Sequence, residues 1–138
     1  MKIGDLFAAP LSMALGHAIT SDIAMGGSVI EQFRQHYHQF RDIEKGRPTV
    51  GSLVVFKEQG RMIYNLVTKE KFYDFTTLTN LHICLQEMRH HMILNCVTQL
   101  GLPRLCCGHD RLLWADVYTI LVNVFRFTPI EVTVFTLT

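Results

Sequence analysis

Two segments of the chain have the same form, an apolar run followed by a glycine-bearing loop and an amphipathic helix. In residues 102–114, LPRLCCGHDRLLW, the loop turns at Gly108, and Asp110 stands ahead of the helix. In residues 13–28, an apolar run to Ile19 precedes TSDIAMGGS. In α/β proteins, ligands bind outside the carboxyl end of a strand, where helix N-termini face them. The two loops therefore predict an α/β fold and a phosphate-containing ligand held by backbone N–H groups.

The remaining pattern predicts a mixed sheet with helices on both faces. Apolar runs at 52–56 and 61–67, separated by KEQG, predict a β-hairpin, and Gly46 and Pro48 predict a loop over residues 39–51. Strands that alternate with helices, plus one hairpin, imply a three-layer α/β arrangement. The other expected elements are strands at 1–3 (very short), 13–19, 100–105 and 130–137, and helices at 28–37, from the caps Thr76 or Thr77 to about 95, and at 113–125.

The bulk composition limits the classes of function. A length of 138 residues suits a single domain over residues 1–138, and 49% hydrophobic with 18% charged residues is typical of a globular protein. The formal net charge of +1 predicts no basic surface for nucleic acid. Four cysteines without a Cys-x-x-Cys pair, and no signal peptide in MKIGD, favour an intracellular protein of the nucleus or cytosol. Because no apolar run reaches the roughly 20 residues that span a bilayer, we expect no membrane partner.

Several short blocks, spread in order over almost the whole chain, resemble a known family. They are GDLF at 4–7, HAIT at 17–20, MGG at 25–27, LVTK at 66–69, PR at 103–104, GHDRLLW at 108–114 and VTVFTL at 132–137. In this order they resemble the macrodomains, most of all the branch of the terminal ADP-ribose protein glycohydrolase, also described as an O-acetyl-ADP-ribose deacetylase. The resemblance implies a three-layer α/β/α macrodomain sandwich with a mixed central sheet, whose partners are ADP-ribose and ADP-ribosylated proteins. We further expect a monomer that needs no metal or organic cofactor.

The resemblance assigns a binding role to residues along the expected cleft. Asp5 would hold the adenine amino group, with the backbone of Leu6 and the side chain of Phe7 completing that end. Taken alone, Asp5 is typical of a turn or cap. Thr20 would contact a ribose. The other expected ligand contacts are Met25, Gly26, Gly27, Ser28, Arg104, Leu105, Cys106, Cys107, Gly108, His109 and Leu137.

Two positions depart from the family pattern. Ser28 occupies a usual glycine position and, by itself, would be the N-cap of an ordinary helix. Cys106 also replaces a glycine, and its side chain is expected to narrow the cleft, so that Cys106→Gly would tighten ADP-ribose binding or speed turnover. These departures leave open a second function, that of a reader which binds ADP-ribose without hydrolysing it.

The resemblance makes Lys69 and Asp110 the catalytic pair. Lys69 would attack the distal ribose, and Asp110 would act as a base and orient the sugar hydroxyls. A lysine in a cleft can lose its proton by desolvation and become a nucleophile, although a lysine at a strand end is usually solvated. Asp110, taken alone, would be a helix-start carboxylate that the helix dipole favours.

Other sites of reaction or binding are disfavoured by the residues themselves. A cysteine nucleophile beside His109 is disfavoured because adjacent side chains rarely meet and buried cysteines are usually inert. The pairs His36/His38 and His90/His91 are spaced across helix faces, which indicates solvated surface rather than a metal site. A scaffold or nucleic-acid-binding domain is disfavoured by the near-neutral charge.

Overall fold

The computed structural model describes residues 2–21, 28–46, 48–71, 74–107 and 112–136, which form an alternating series of strands and helices. The strands are β1 (Lys2–Ile3), β2 (Ala14–Thr20), β3 (Leu53–Glu58), β4 (Arg61–Lys69), β5 (Gln99–Leu102) and β6 (Glu131–Thr136). The helices are α1 (Ser28–His36), α2 (Phe40–Gly46), α3 (Leu78–Leu94) and α4 (Trp114–Phe125), and a short 3-10 turn, Leu6–Ala8, follows β1. The predicted alternation, the hairpin and the very short first strand are confirmed.

The described strands form one mixed sheet in the order β1-β6-β5-β2-β4-β3. Neighbouring strands run parallel except β3, which is antiparallel to β4 in the hairpin. The carboxyl ends of the parallel strands therefore meet at one end of the sheet, here called the carboxyl edge. It is formed by Ile3, Thr20, Lys69, Leu102 and Thr136.

Each face of the sheet carries its own apolar core. On one face, Phe33 of α1 and Phe40 of α2 are fully buried in the cluster that includes β2 and β4 residues. On the other face, Leu85 of α3 and Leu121 of α4 are buried in the cluster that includes β4 and β5 residues. A largely parallel sheet needs cover on both faces, and the predicted three-layer sandwich is confirmed. No helix of the described residues is long and apolar enough to cross a membrane.

The loop predicted between α1 and β3 is wrong in part, because α2 lies within it. Phe40 and Ile43 are about one helical turn apart, and both are buried against the sheet. The backbone N–H groups of His38 and Gln39, just before the helix, donate to the Glu58 carboxylate at 3.0 and 2.9 Å. Burial of one helix face and capping from β3 therefore stabilise a helix that is too short to be stable in isolation.

The ends of α3 and β5 follow from local chemistry. Thr77 is the N-cap of α3, and its hydroxyl accepts a hydrogen bond from the Asn80 N–H at 3.1 Å, which confirms one of the two predicted caps. β5 ends at Leu102, earlier than predicted, because Pro103 has no N–H with which to continue the ladder. The chain therefore leaves the sheet at the carboxyl edge as soon as β5 has crossed the core.

Candidate functional site

At the carboxyl edge, two neighbouring strands send their connections to opposite faces of the sheet. β2 and β5 are adjacent, but β2 leads to α1 on one face and β5 leads to α4 on the other. In open α/β sheets, the crevice at such a point is the usual ligand site. The two loops that the sequence predicts to bind ligand, after β2 and after β5, start from this crevice.

Part of each loop lies outside the described residues. Seven predicted site residues lie outside the described residues. Six belong to the two loops, and Leu137 follows β6: Met25, Gly26, Gly27, Gly108, His109, Asp110 and Leu137. Ser28 is the first residue of α1. The predicted roles of these residues stay predictions.

Lys69, the predicted nucleophile, is the last residue of β4 and is buried, with 8% of its surface exposed. Its partner across the parallel ladder is Thr20, the predicted ribose contact, which is 3% exposed. The backbone N–H of Ser21 donates to the Lys69 carbonyl oxygen at 2.9 Å, so the pairing continues one residue beyond β2. The alternative interpretation of Lys69 as a solvated strand end is wrong. Lys71, by contrast, is exposed beyond the end of β4.

The predicted adenine end of the cleft is built on the 3-10 turn after β1. Asp5 is the N-cap of this turn, and its carboxylate oxygen accepts a hydrogen bond from the Phe7 N–H at 2.9 Å. The Phe7 ring stacks on His36, with centroids 4.4 Å apart and planes 8° apart, and meets Phe33 edge-on at 4.8 Å. The capping role of Asp5 is confirmed. The aromatic contacts fix this end of the site to α1.

The described part of the second loop packs into the core on the α3–α4 face. Leu105 is buried, and Cys106 is 9% exposed and belongs to the same apolar cluster. Cys106 has φ of 59°, a left-handed conformation that costs a non-glycine residue about 1–2 kcal/mol. The position therefore has the backbone of a glycine site, but its side chain is taken up by the core. The predicted narrowing of the cleft does not follow from this placement.

The neighbouring residues hold the loop without providing a reactive thiol. The Arg104 guanidinium lies over the Trp114 ring at 5.5 Å, a cation–π contact that ties the loop to α4. The Cys107 thiol donates to the Leu105 carbonyl oxygen at 3.3 Å. Burial raises the pKa of Cys107, and the positive charge of Arg104 offsets this only in part. A protonated, hydrogen-bonded thiol is a poor nucleophile, which adds to the argument against cysteine catalysis.

A buried histidine beneath the carboxyl edge has a role that sequence reasoning missed. His17 of β2 is fully buried, its ring stacks on Phe33 at 3.6 Å, and its Nε2 lies 2.5 Å from Oδ1 of Asn65. The Asn65 amide donates in turn to the Val54 carbonyl oxygen at 2.9 Å. Burial lowers the pKa of His17 to about 3, so the ring is neutral with its proton on Nε2. Apart from its place in the HAIT block of the resemblance, the signal in the sequence is a polar residue inside an apolar strand.

The described histidines and acids do not assemble into a metal centre. Among the part of the chain that the structure describes, no group of three or more His, Cys, Asp or Glu residues could hold a metal ion. His36, His38 and His90 are exposed, as expected for solvated surface, and His38 lies between α1 and α2. His91 is partly buried, and its Nδ1 lies 2.9 Å from the Tyr64 hydroxyl.

Comparison with known proteins identifies the family. No protein-family model matches the chain. The human ADP-ribose glycohydrolase OARD1 is 37% identical to it, and the bovine OARD1 is 38% identical, each over 134 residues that cover 97% of this chain and 88% of the relative. The chain is a macrodomain of the OARD1 branch.

Solved structures agree with this assignment at the level of the fold. The macrodomain of Mycobacterium tuberculosis DarG has a TM-score of 0.87 and 24% identity, and the match covers 96% of this chain and 93% of that one. Thermosipho africanus DarTG in complex with ADP-ribose has a TM-score of 0.80 and 15% identity, and the match covers 97% of this chain and 41% of that one. The resemblance found in the sequence is therefore confirmed.

Within this macrodomain, the fold gathers residues that are far apart in sequence. Asp5, Thr20, Lys69 and the 104–107 segment all follow or end strands at the carboxyl edge. Thr20 and Lys69 are direct partners. Their separation in sequence gives no hint of this pairing, which depends on the parallel crossover between β2 and β4.

Proposed function

We propose that this macrodomain binds ADP-ribose in the crevice between the loops after β2 and β5, and removes it from glutamate and aspartate side chains of proteins. The observation that carries the proposal is the burial of Lys69 at the carboxyl edge, beside Thr20. Lysine side chains are rarely buried, and this one lies next to the predicted ribose contact. The relatives named ADP-ribose glycohydrolase, and the neighbour solved with ADP-ribose, support the same substrate class.

The proposed reaction begins with attack by the Lys69 amine on the anomeric carbon of the distal ribose. A C–N bond forms while the C–O bond to the protein carboxylate breaks, and the electron pair leaves with the carboxylate oxygen. The proton released from nitrogen passes to a base, the role that the resemblance gives to Asp110. Water then attacks the same carbon while the base returns its proton to the lysine nitrogen. The C–N bond breaks with its electron pair on that nitrogen, the base takes a proton from the attacking water, and ADP-ribose is freed.

A carboxylate ester suits this chemistry because its leaving group is weakly basic. Glutamate and aspartate have ordinary pKa values of roughly 4, so the departing oxygen needs little acid assistance. A linkage through a serine hydroxyl or an arginine would expel a much stronger base. We expect O-acetyl-ADP-ribose to be a second substrate, because it carries the same ADP-ribose unit and an ester.

The second candidate function is that of a reader that binds ADP-ribose without hydrolysing it. The observation that favours it is Cys106, a non-glycine residue in the left-handed backbone conformation of a glycine site, from which we infer a loop stiffer than one with glycine there. A stiffer loop would adapt less readily to a transition state. Binding alone would then remain.

Two measurements on the wild-type protein separate these functions. Calorimetric titration with ADP-ribose should show binding in the micromolar range or tighter, which corresponds to about −8 kcal/mol. A protein ADP-ribosylated on glutamate should release ADP-ribose over repeated turnovers. Binding without turnover would overturn the proposed hydrolysis and support the reader, and the absence of both would overturn both functions.

A further inference from the structure

The ladder between β2 and β4 contains an irregularity next to Lys69. Up to Ile19, which pairs with Val67, the two strands advance one residue at a time. The same register would pair Thr20 with Thr68, but Thr20 pairs with Lys69 instead. β4 therefore contains one extra residue at this point, a β-bulge. Bulges beside functional sites serve to re-aim a side chain.

The extra residue, Thr68, is held by the start of α3. The Thr76 hydroxyl donates to the Thr68 hydroxyl oxygen at 3.0 Å, and both residues are buried, with 3% and 1% of their surfaces exposed. The Asn80 side-chain amide lies 3.5 Å from the Thr68 carbonyl oxygen. The conformation of the bulge is thus coupled to the residues that begin α3.

We propose that Thr76 is a positioning residue for Lys69, an inference that rests on the proposed lysine mechanism. Its hydroxyl holds Thr68 in the bulge, and the bulge places Lys69 rather than Thr68 opposite Thr20. Without this donor, the buried Thr68 hydroxyl loses its partner. This loss destabilises the bulge and favours a return of β4 to regular register. Lys69 would then move away from the distal ribose, although the rest of the ligand site would stay intact.

The test removes the hydroxyl while keeping its shape. Thr76→Val should lower kcat on the glutamate-linked substrate about ten- to a hundredfold, the effect of a misplacement of roughly 1 Å. The dissociation constant for ADP-ribose should stay within about twofold of wild type, because ground-state binding does not depend on the amine. Thr76→Ser, which keeps the hydroxyl, should retain wild-type kcat.

A matched control and a second route to the same bond make the result specific. Thr128→Val removes a hydroxyl that donates to the Phe125 carbonyl oxygen at 2.7 Å, at the end of the sheet away from the site. It should lower stability without lowering kcat.

Thr68→Val breaks the Thr76 bond from the β4 side, and the double variant should have a kcat no lower than that of either single variant, because one interaction cannot be lost twice. If Thr76→Val does not fold, the same measurements of kcat and ADP-ribose affinity on Thr68→Val test the proposal.

A readout independent of turnover separates this inference from the proposed function. Reductive methylation with formaldehyde and cyanoborohydride, followed by mass spectrometry, reports how accessible Lys69 is relative to the exposed Lys71. Thr76→Val should raise the labelling rate of Lys69 but not that of Lys71. If wild type shows no turnover, the proposed function fails and the labelling result alone decides whether Thr76 holds Lys69. Unchanged labelling of Lys69, or unchanged kcat in a folded Thr76→Val or Thr68→Val variant of an active enzyme, would overturn the inference.

Discussion

The buried His17 makes the stability of the protein sensitive to mild acid. The folded-state pKa of this group is lowered from 6.5 to about 3 by burial, whereas the unfolded chain binds the proton near 6.5. The unfolded state therefore takes up more protons between these two values, and the folded state loses stability as the pH falls through 6.5. Well above pH 6.5 the histidine is neutral in both states, so this loss of stability is absent.

The size of the effect follows from the two pKa values. At pH 5, which lies about 1.5 units below the unfolded pKa, the unfolded histidine is almost fully protonated and the folded one is neutral. At roughly 1.4 kcal/mol per unit, the free energy of unfolding should fall by about 2 kcal/mol between pH 7 and pH 5. This is a large part of the stability of an ordinary domain.

Urea denaturation at pH 7 and pH 5 measures this loss, and His17→Gln is the matched control. Glutamine keeps an N–H donor for Asn65 but does not titrate, so its pH dependence should be smaller than that of wild type by about 2 kcal/mol. All other residues are the same in both proteins, so their contributions cancel in the difference. Equal losses in wild type and His17→Gln would refute the argument that His17 is neutral and buried.

Two further predictions concern the ligand site. Asp5→Ala should weaken ADP-ribose binding in calorimetry. It should also lower the free energy of unfolding by about 0.5–2 kcal/mol, because the same carboxylate caps the 3-10 turn. Unchanged affinity would mean that Asp5 caps the turn but does not hold ADP-ribose. Cys106→Gly should leave ADP-ribose affinity within about twofold of wild type, because the side chain packs in the core. Its stability should change by only about 1 kcal/mol, since relief of the left-handed strain is offset by lost packing and by the freer unfolded chain. Tighter ADP-ribose binding by Cys106→Gly would contradict the assignment of this side chain to the core.

The layered α/β fold could be predicted from the sequence because it depends on local signals, whereas the predicted position of the ligand site stays a prediction. Apolar runs, glycine-bearing loops and the Thr77 cap each act over a few residues, and their alternation leaves few topologies for a parallel sheet. The helix α2 could not be predicted in this way, since Phe40 and Ile43 form a helical face only once the sheet is there to cover them. Its N-terminal partner, Glu58, comes from a strand later in the chain.

The register between β2 and β4 and the burial of Lys69 could not be predicted from the sequence, for a related reason. Nothing in the sequence around Thr68 marks a bulge, which is defined only by its pairing with β2. A lysine at the end of a strand is usually solvated, whereas Lys69 is buried and pairs with Thr20 across the β2–β4 ladder. The resemblance to macrodomains assigns Lys69 a catalytic role, which stays a prediction, whereas its buried position beside Thr20 required the structure.

The most direct test of the central proposal compares Lys69→Ala with Lys71→Ala in two assays, release of ADP-ribose from a glutamate-modified protein and calorimetric binding of ADP-ribose. The account predicts that Lys69→Ala abolishes release and leaves the dissociation constant within about twofold of wild type. A nucleophile acts in the transition state, whereas ground-state binding is assigned to Asp5 and the two loops in this proposal. Lys71→Ala, at an exposed position just beyond β4, should match wild type in both assays. Full release by Lys69→Ala would contradict the lysine mechanism.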